Sequence, residues 1–157
     1  MITSMPILAD NKKALFDYQV VKTWEAGLIL TGQEVKSVRN KQLSLKESYV
    51  VINLTANRSP QAYLLNCHIS PYKMAGHLTG YDPTRTRRLL LHQKEINSLY
   101  GQAQQAGLTL IPLRVYTKGT KIKVEIGLVK GKKQFDKRTA IKKREVDREL
   151  RRKLKNI

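Results

Sequence analysis

Thr109–Val129 reads TLIPLRVYTKGTKIKVEIGLV, and its pattern decides the fold class. Thr109–Tyr116 and Lys121–Val129 are rich in β-branched and apolar residues, and Lys118-Gly119 supplies a turn between them, which makes the stretch a β-hairpin. Alternation places Lys121 and Lys123 on one face and Ile122 and Val124 on the other. One side of the hairpin can therefore enter a core while the other stays basic.

The same reading extends towards the N-terminus. Gln93–Ala106 is a helix with Ile96, Leu99 and Tyr100 on one face and Gly107 as its stop. Ser48–Leu54 (SYVVINL) and Gln61–Cys67 (QAYLLNC) are strands joined by the polar stretch Thr55–Pro60, a second hairpin. Pro71–Pro83 is a loop carrying Gly76, Gly80 and the Asp82-Pro83 turn. Phe16–Trp24 (FDYQVVKTW) mixes aromatic and β-branched residues and predicts a strand; Glu25-Ala26-Gly27 permits a bend or bulge, Leu28–Leu30 continues extended and Gly32 ends it. Val35 and Val38 give Gln33–Arg39 one apolar face, so a short helix fits there, and Met1–Asn11 is a leader. Many short strands with two short helices predict a mainly β domain, a small closed β-barrel of the oligonucleotide-binding type.

Charge divides the chain. Residues Lys130–Ile157 hold 13 Lys or Arg against four Asp or Glu, which is +9 of a total of +18. No Gly or Pro follows Gly131, so Thr139–Lys155 can form one helix, with Val146, Leu150, Leu154 and Ile157 on a narrow apolar stripe. Such a stripe is too small to order itself, and the tail is expected to be disordered when free and helical on a polyanion. The expected organisation is an RNA-binding barrel domain over 1–129 and a basic tail over 130–157.

The pI near 10.2 calls for an acidic partner. No apolar run is long enough to span a bilayer and no secretory leader is read, so the expected compartment is the cytoplasm and no membrane partner is expected. Cys67 stands alone among apolar neighbours as a buried structural thiol. His68, His77 and His92 lack metal-ligand spacing, and the scattered glycines form no phosphate cradle, so neither a catalytic residue nor a metal or cofactor is expected. Binding has more support. Arg85, Arg87 and Arg88 follow the Asp82-Pro83 turn and could grip phosphate or stack on bases, with Lys118, Lys121 and Lys123 extending the patch. A basic face without any DNA-binding signature suits structured RNA. From the residues alone the chain reads as a basic, β-rich RNA-binding protein with an induced-fit tail; a ribosomal or assembly protein threading ribosomal RNA with that tail, and an RNA-processing enzyme, both stand.

The blocks Asn11-Lys12-Lys13-Ala14, Trp24-Glu25-Ala26-Gly27, Gly32-Gln33-Glu34-Val35-Lys36-Ser37, Ser48-Tyr49, Tyr81–Leu91 (YDPTRTRRLLL), Leu110-Ile111-Pro112-Leu113, and Gly127–Lys133 (GLVKGKK) with Asp136-Lys137-Arg138 occur in this order. In them the chain resembles the SsrA-binding protein family, also called small protein B, which partners transfer-messenger RNA (tmRNA). The resemblance implies an oligonucleotide-binding barrel that binds the tRNA-like domain of tmRNA and delivers it to a stalled ribosome. It also implies a tail that enters the empty messenger channel against small-subunit ribosomal RNA, so that trans-translation tags the nascent peptide for degradation. It implies an adaptor and not an enzyme, and nothing suggests other than a monomer.

By the same resemblance Asn11, Lys12, Glu25, Leu90 and Lys123 match positions that contact or shape the tmRNA surface. Glu25 is the odd member, since a carboxylate repels phosphate; it could accept from a base or ribose, orient a neighbouring cation, or cap local backbone. Leu90 reads equally well as core. Lys130, Gly131, Lys132, Lys133, Asp136, Lys137 and Arg138 match the ribosome-engaging segment, and the basic run Lys142, Lys143 and Arg144 continues it. Phe16 and Phe135 stand where some relatives have histidine; each keeps a stacking face and loses the hydrogen bonds and titration of an imidazole.

Overall fold

A computed structural model describes residues 6–54, 59–76, 80–105, 107–132 and 134–155. Among them the main element is a seven-stranded antiparallel sheet in the order β1-β8-β9-β2-β7-β5-β4. Its strands are β1 (Ile7–Asp10), β2 (Tyr18–Leu28), β4 (Tyr49–Asn53), β5 (Gln61–Leu65), β7 (Arg87–Leu90), β8 (Leu108–Lys118) and β9 (Lys121–Gly131). Two-residue strands β3 (Leu43–Ser44) and β6 (His68–Ile69) pair beside it. The helices are α1 (Lys12–Asp17), α2 (Gly32–Arg39), α3 (Gln93–Ala103) and α4 (Gln134–Lys155), with one 3₁₀ turn at Lys73–Ala75.

The hairpin β8–β9 is the longest ladder. Lys118 pairs with Lys121, and Gly119 takes φ +64° in the two-residue turn, a conformation that glycine adopts without strain. The β4–β5 hairpin pairs from Tyr49↔Leu65 to Asn53↔Gln61; its connection at 55–58 lies outside the described residues. Inward side chains of the rolled sheet, among them Ala26, Leu64, Leu89, Val124 and Ile126, form the main core with Val38 and Leu99 from the helices. A second small core, Ala14, Ile111, Leu113 and Val129, lies where α1 covers the other side of the sheet.

Several boundaries differ from the sequence reading. Phe16 and Asp17 belong to α1 and not to a strand. Asn11 caps that helix, its Oδ1 accepting from the Ala14 N–H at 3.3 Å, and this local signal outweighs the β preference of an aromatic residue. Ile7–Asp10, read as leader, becomes a strand because it pairs with β8, which its own four residues do not reveal. The irregularity expected at Glu25–Gly27 sits instead between Val20 and Lys22, and leaves Val21 56% exposed. Gly32 opens α2, where Thr31 and Glu34 make a capping box, whereas the strand has already ended at Leu28. Helix α3 stops at Ala103, Gly107 takes φ +81°, and position 106 lies outside the described residues.

Arg87 departs furthest from expectation. It is fully buried, with Nε donating to Glu34 Oε2 at 2.6 Å, Nη1 to the Cys67 carbonyl at 2.6 Å and Nη2 to the Pro83 carbonyl at 3.0 Å. Arg85 donates to the other Glu34 oxygen at 2.5 Å, and Thr31 donates its N–H to that same oxygen at 3.0 Å. Burial alone would raise the Glu34 pKa; the Thr31 N–H and the two guanidinium groups outweigh it and hold the carboxyl below its ordinary value of 4.5.

Replacing Arg87 by Met leaves Glu34 with Arg85 and the Thr31 N–H on one oxygen alone, removes the donor to the Cys67 and Pro83 carbonyls, and is expected to cost about 3 kcal/mol in urea unfolding at neutral pH. The folded-state pKa of Glu34 is depressed, so its contribution is complete above 4.5 and is lost as pH falls through the lowered value. Acid unfolding curves of the native chain and Glu34→Gln should therefore converge at low pH; parallel curves would contradict the ion-pair account.

Candidate nucleic-acid interface

Strands β2, β7, β8 and β9 bring Glu25, Leu90, Lys118 and Lys123 to one outward region. The register pairs Gly27 with both Lys123 and Leu90, so a backbone position without a side chain lies between the cation and the leucine. A Cβ on Gly27 would stand 3.2 Å from Leu90 Cβ, which shows how closely the leucine crosses that gap. Leu90 is 52% exposed and so belongs to the surface, although it is as apolar as its buried neighbour Leu89. Glu25, Leu90 and Lys123, together with Leu91, His92 and Glu95, line a hollow of about 470 Å³.

Glu25 is engaged on both oxygens. The Tyr116 hydroxyl donates to Oε2, and Lys118 Nζ lies 3.3 Å from Oε1. The Tyr116 hydrogen bond, opposed by desolvation and aided by Lys118 and Lys123, keeps the carboxyl below its ordinary range. Burial, and then the hydrogen bond to Glu25, pushes the Tyr116 phenol upwards. Glu25 thus stays ionised and orients Lys118, one of the roles that its sequence left open. Tyr116 is the partner that sequence reasoning missed; 91 residues separate it from Glu25, and the sheet register brings them together.

The arginine triplet separates. Arg87 faces inward, as described, and presents no surface to a polyanion. Arg85 is partly exposed but held by Glu34. Arg88 is exposed and donates to Gln61 Oε1 at 2.7 Å. Lys121 is exposed at the hairpin end, and Lys123 is half-buried in the hollow.

A different part of the surface collects Lys12, Phe16 and the tail. Asn11 is 6% exposed, and its amide donates to the Pro112 carbonyl at 2.9 Å, so this residue shapes the surface from below. Lys12 is exposed. Phe16 carries the Arg144 guanidinium 4.9 Å from its ring centroid, so the face expected to stack on a base is covered by α4. Lys130 and Gly131 are exposed at the end of β9, and Lys132 closes the end of α1: its N–H donates to the Asp17 carbonyl and its Nζ to the Leu15 carbonyl, both at 3.1 Å. Lys133 lies outside the described residues. Phe135, Asp136 and Lys137 fall within α4, with side chains outside the description, and Arg138, Lys142, Lys143 and Arg144 are exposed along it.

Helix α4 starts five residues before the expected Thr139. Val146 and Leu150, 56% and 53% exposed, share the expected stripe; the Leu154 side chain and Ile157 lie outside the description. The helical rotation puts that stripe on the side of α4 opposite Arg144 and α1.

Among the described residues, no three His, Cys, Asp or Glu gather as a metal site, and no helix is long and apolar enough to cross a membrane. His77 lies outside the description. Cys67 is fully buried, and burial pushes its thiol to about 11, far from a reactive thiolate.

Three comparisons bear on this geometry. The family described as SmpB protein matches residues 8–156. The SsrA-binding protein of Enterococcus faecalis is 50% identical over 150 residues, covering 96% of this chain and 94% of that one. The SsrA-binding protein of Gloeothece citriformis is 48% identical over 149 residues, covering 95% and 93%. A solved structure described as "tmRNA-SmpB: a journey to the center of the bacterial ribosome" matches with a TM-score of 0.64 and 39% identity, over 80% of this chain and 84% of that one. The match takes in the rolled sheet, the Glu25–Lys123 hollow and the basic helix, and the chain belongs to the SmpB family.

Proposed function

We infer that this chain is the tmRNA-binding adaptor of trans-translation. It binds the tRNA-like domain of tmRNA, brings it to a stalled ribosome in the cytoplasm, and sets its tail along small-subunit ribosomal RNA in the empty messenger channel. The observation that carries the reading is the family match over residues 8–156, which spans sheet and tail alike.

The geometry supports a division of labour. The sheet presents fixed cations: Lys118 is held by Glu25, and Lys123 stands beside Leu90 in a concave surface. Fixed donors and an exposed apolar side chain suit a folded RNA read by shape. Helix α4 presents exposed cations on a rod of 22 residues, about 33 Å at 1.5 Å per residue. Its acids are placed to support it, with Asp147 four residues before Arg151 and Glu149 four before Lys153. Surrounding phosphate would relieve repulsion among the remaining cations, so the helix gains stability on its partner. The chain itself supplies binding and positioning, and no chemical step is assigned to it.

Two measurements test this reading. Deleting Phe135–Ile157 keeps the Lys132 bonds that close α1, and should leave tmRNA affinity largely intact while abolishing peptide tagging on stalled ribosomes; complete loss of tmRNA affinity would refute the division. Lys123→Ala should weaken tmRNA binding and flatten the slope of log affinity against log salt by about 0.7–0.9, the share of one phosphate contact. A weaker complex with an unchanged slope would reassign Lys123 to a base or ribose contact.

A further inference from the structure

On the outer face of β4, β5 and β7, Leu90 alone has a role in the reading above, which leaves β4, β5 and the structural setting of Arg88 without one. Their sequences, YVVIN, QAYLL and RRLL, contain no carboxylate. Val51 pairs with Tyr63 and Tyr63 with Arg88, so these three form one cross-strand row. Their chain neighbours Val50, Ala62, Leu64, Arg87 and Leu89 are buried, which turns the row outward. The Arg88 bond to Gln61 tethers its guanidinium towards β5 without taking up all five donors. Beside Tyr63 a shallow hollow of about 470 Å³ is lined by Val51, Asn53, Leu65 and Thr86.

The row also continues the hollow described above. Leu90 and Arg88 are two apart on β7 and so share its outward side, and Leu90 lies next to Lys123 across Gly27. An RNA whose backbone follows Lys118 and Lys123 would meet Arg88 and Tyr63 next. A half-exposed tyrosine ring offers a stacking face, the arginine fork a phosphate site, and the Asn53 and Gln61 amides hydrogen bonds to base edges. A protein strand could add to the edge strand β4, but it would make no use of this cationic and aromatic row. We propose that the outer face of β4, β5 and β7 binds unpaired nucleotides of the same RNA that contacts Lys123, with Tyr63 as the stacking platform and Arg88 as a phosphate contact.

The proposal rests on the RNA-binding reading and is tested on the full chain with tmRNA across a salt series. Tyr63→Ser should weaken binding about tenfold without changing the salt slope, while Tyr63→Phe stays within about twofold of the native chain. Arg88→Gln should flatten the slope by about 0.7–0.9. Ultraviolet cross-linking of the unmodified chain should mark the peptide containing Tyr63, a readout that needs no variant to fold. Native-like affinity in Tyr63→Ser and Arg88→Gln, with no cross-link there and Lys123→Ala still weakened, overturns this face and leaves the adaptor reading intact. Native-like tmRNA affinity with loss of association to ribosomal protein would assign the face to a protein partner and equally overturn the proposal. Failure of the native chain to prefer tmRNA over an ordinary tRNA would instead strike the adaptor reading itself.

Discussion

The buried pair of Glu34 and Arg87 is the constraint on which the surface depends. One carboxylate and one guanidinium join the first turn of α2, the inward side of β7, the carbonyl of Cys67 and the carbonyl of Pro83. An isolated charge in this position would cost several kcal/mol, so the segments must meet in one arrangement for both charges to be satisfied. Strand β7 has only four residues and needs such an anchor. With Arg87 locked inward, alternation turns Arg88 and Leu90 outward, and β7 then pairs with β2 and β5 in the register that sets Leu90 beside Gly27. The outward groups are therefore positioned by a bond on the opposite side of the sheet.

This explains which parts were legible in the sequence. The β8–β9 hairpin, α2 and α3 follow from local patterns: alternation around a glycine turn, and apolar residues at helical spacing. Strands β1, β3 and β6 are set by the edges they pair with, and two to four residues carry too little pattern of their own. In the stretch Arg87–Leu90 the usual reading is inverted, because a charged residue faces in and an apolar one faces out. Nothing within RRLL says which of two alternating sets enters the core, and the deciding partner, Glu34, lies 53 residues away. The site was legible in its residue types more than in its geometry. Glu25 could be named from a motif block and Lys123 from hairpin alternation and the resemblance, whereas the Tyr116 bond that explains Glu25 requires three strands in register.

The two basic regions have different physics. Cations on the sheet stand on a core that closes whether or not a polyanion is present, and at least two of them, Arg114 and Lys118, are held by acidic partners. Cations on α4 stand on a helix with an exposed stripe, tied to α1 at its base through Lys132 and over Phe16 through Arg144. The first arrangement has little conformational entropy left to lose and suits recognition of a folded shape. The second suits a long groove whose phosphates need not be met in one fixed pattern.

A carboxylate among the cations of this surface is then an expected feature. A free lysine on a hairpin samples many rotamers, and immobilising it on binding costs about 0.5–1.5 kcal/mol. Glu25 meets part of that cost in advance by holding Lys118 at 3.3 Å. Its own repulsion of phosphate is limited because Tyr116 donates to one oxygen and Lys118 and Lys123 offset its charge. Replacing the acid would leave more net positive charge and yet a less ordered site. Electrostatic attraction and precise positioning thus make opposite demands on this residue, and the geometry of Tyr116, Glu25 and Lys118 favours positioning.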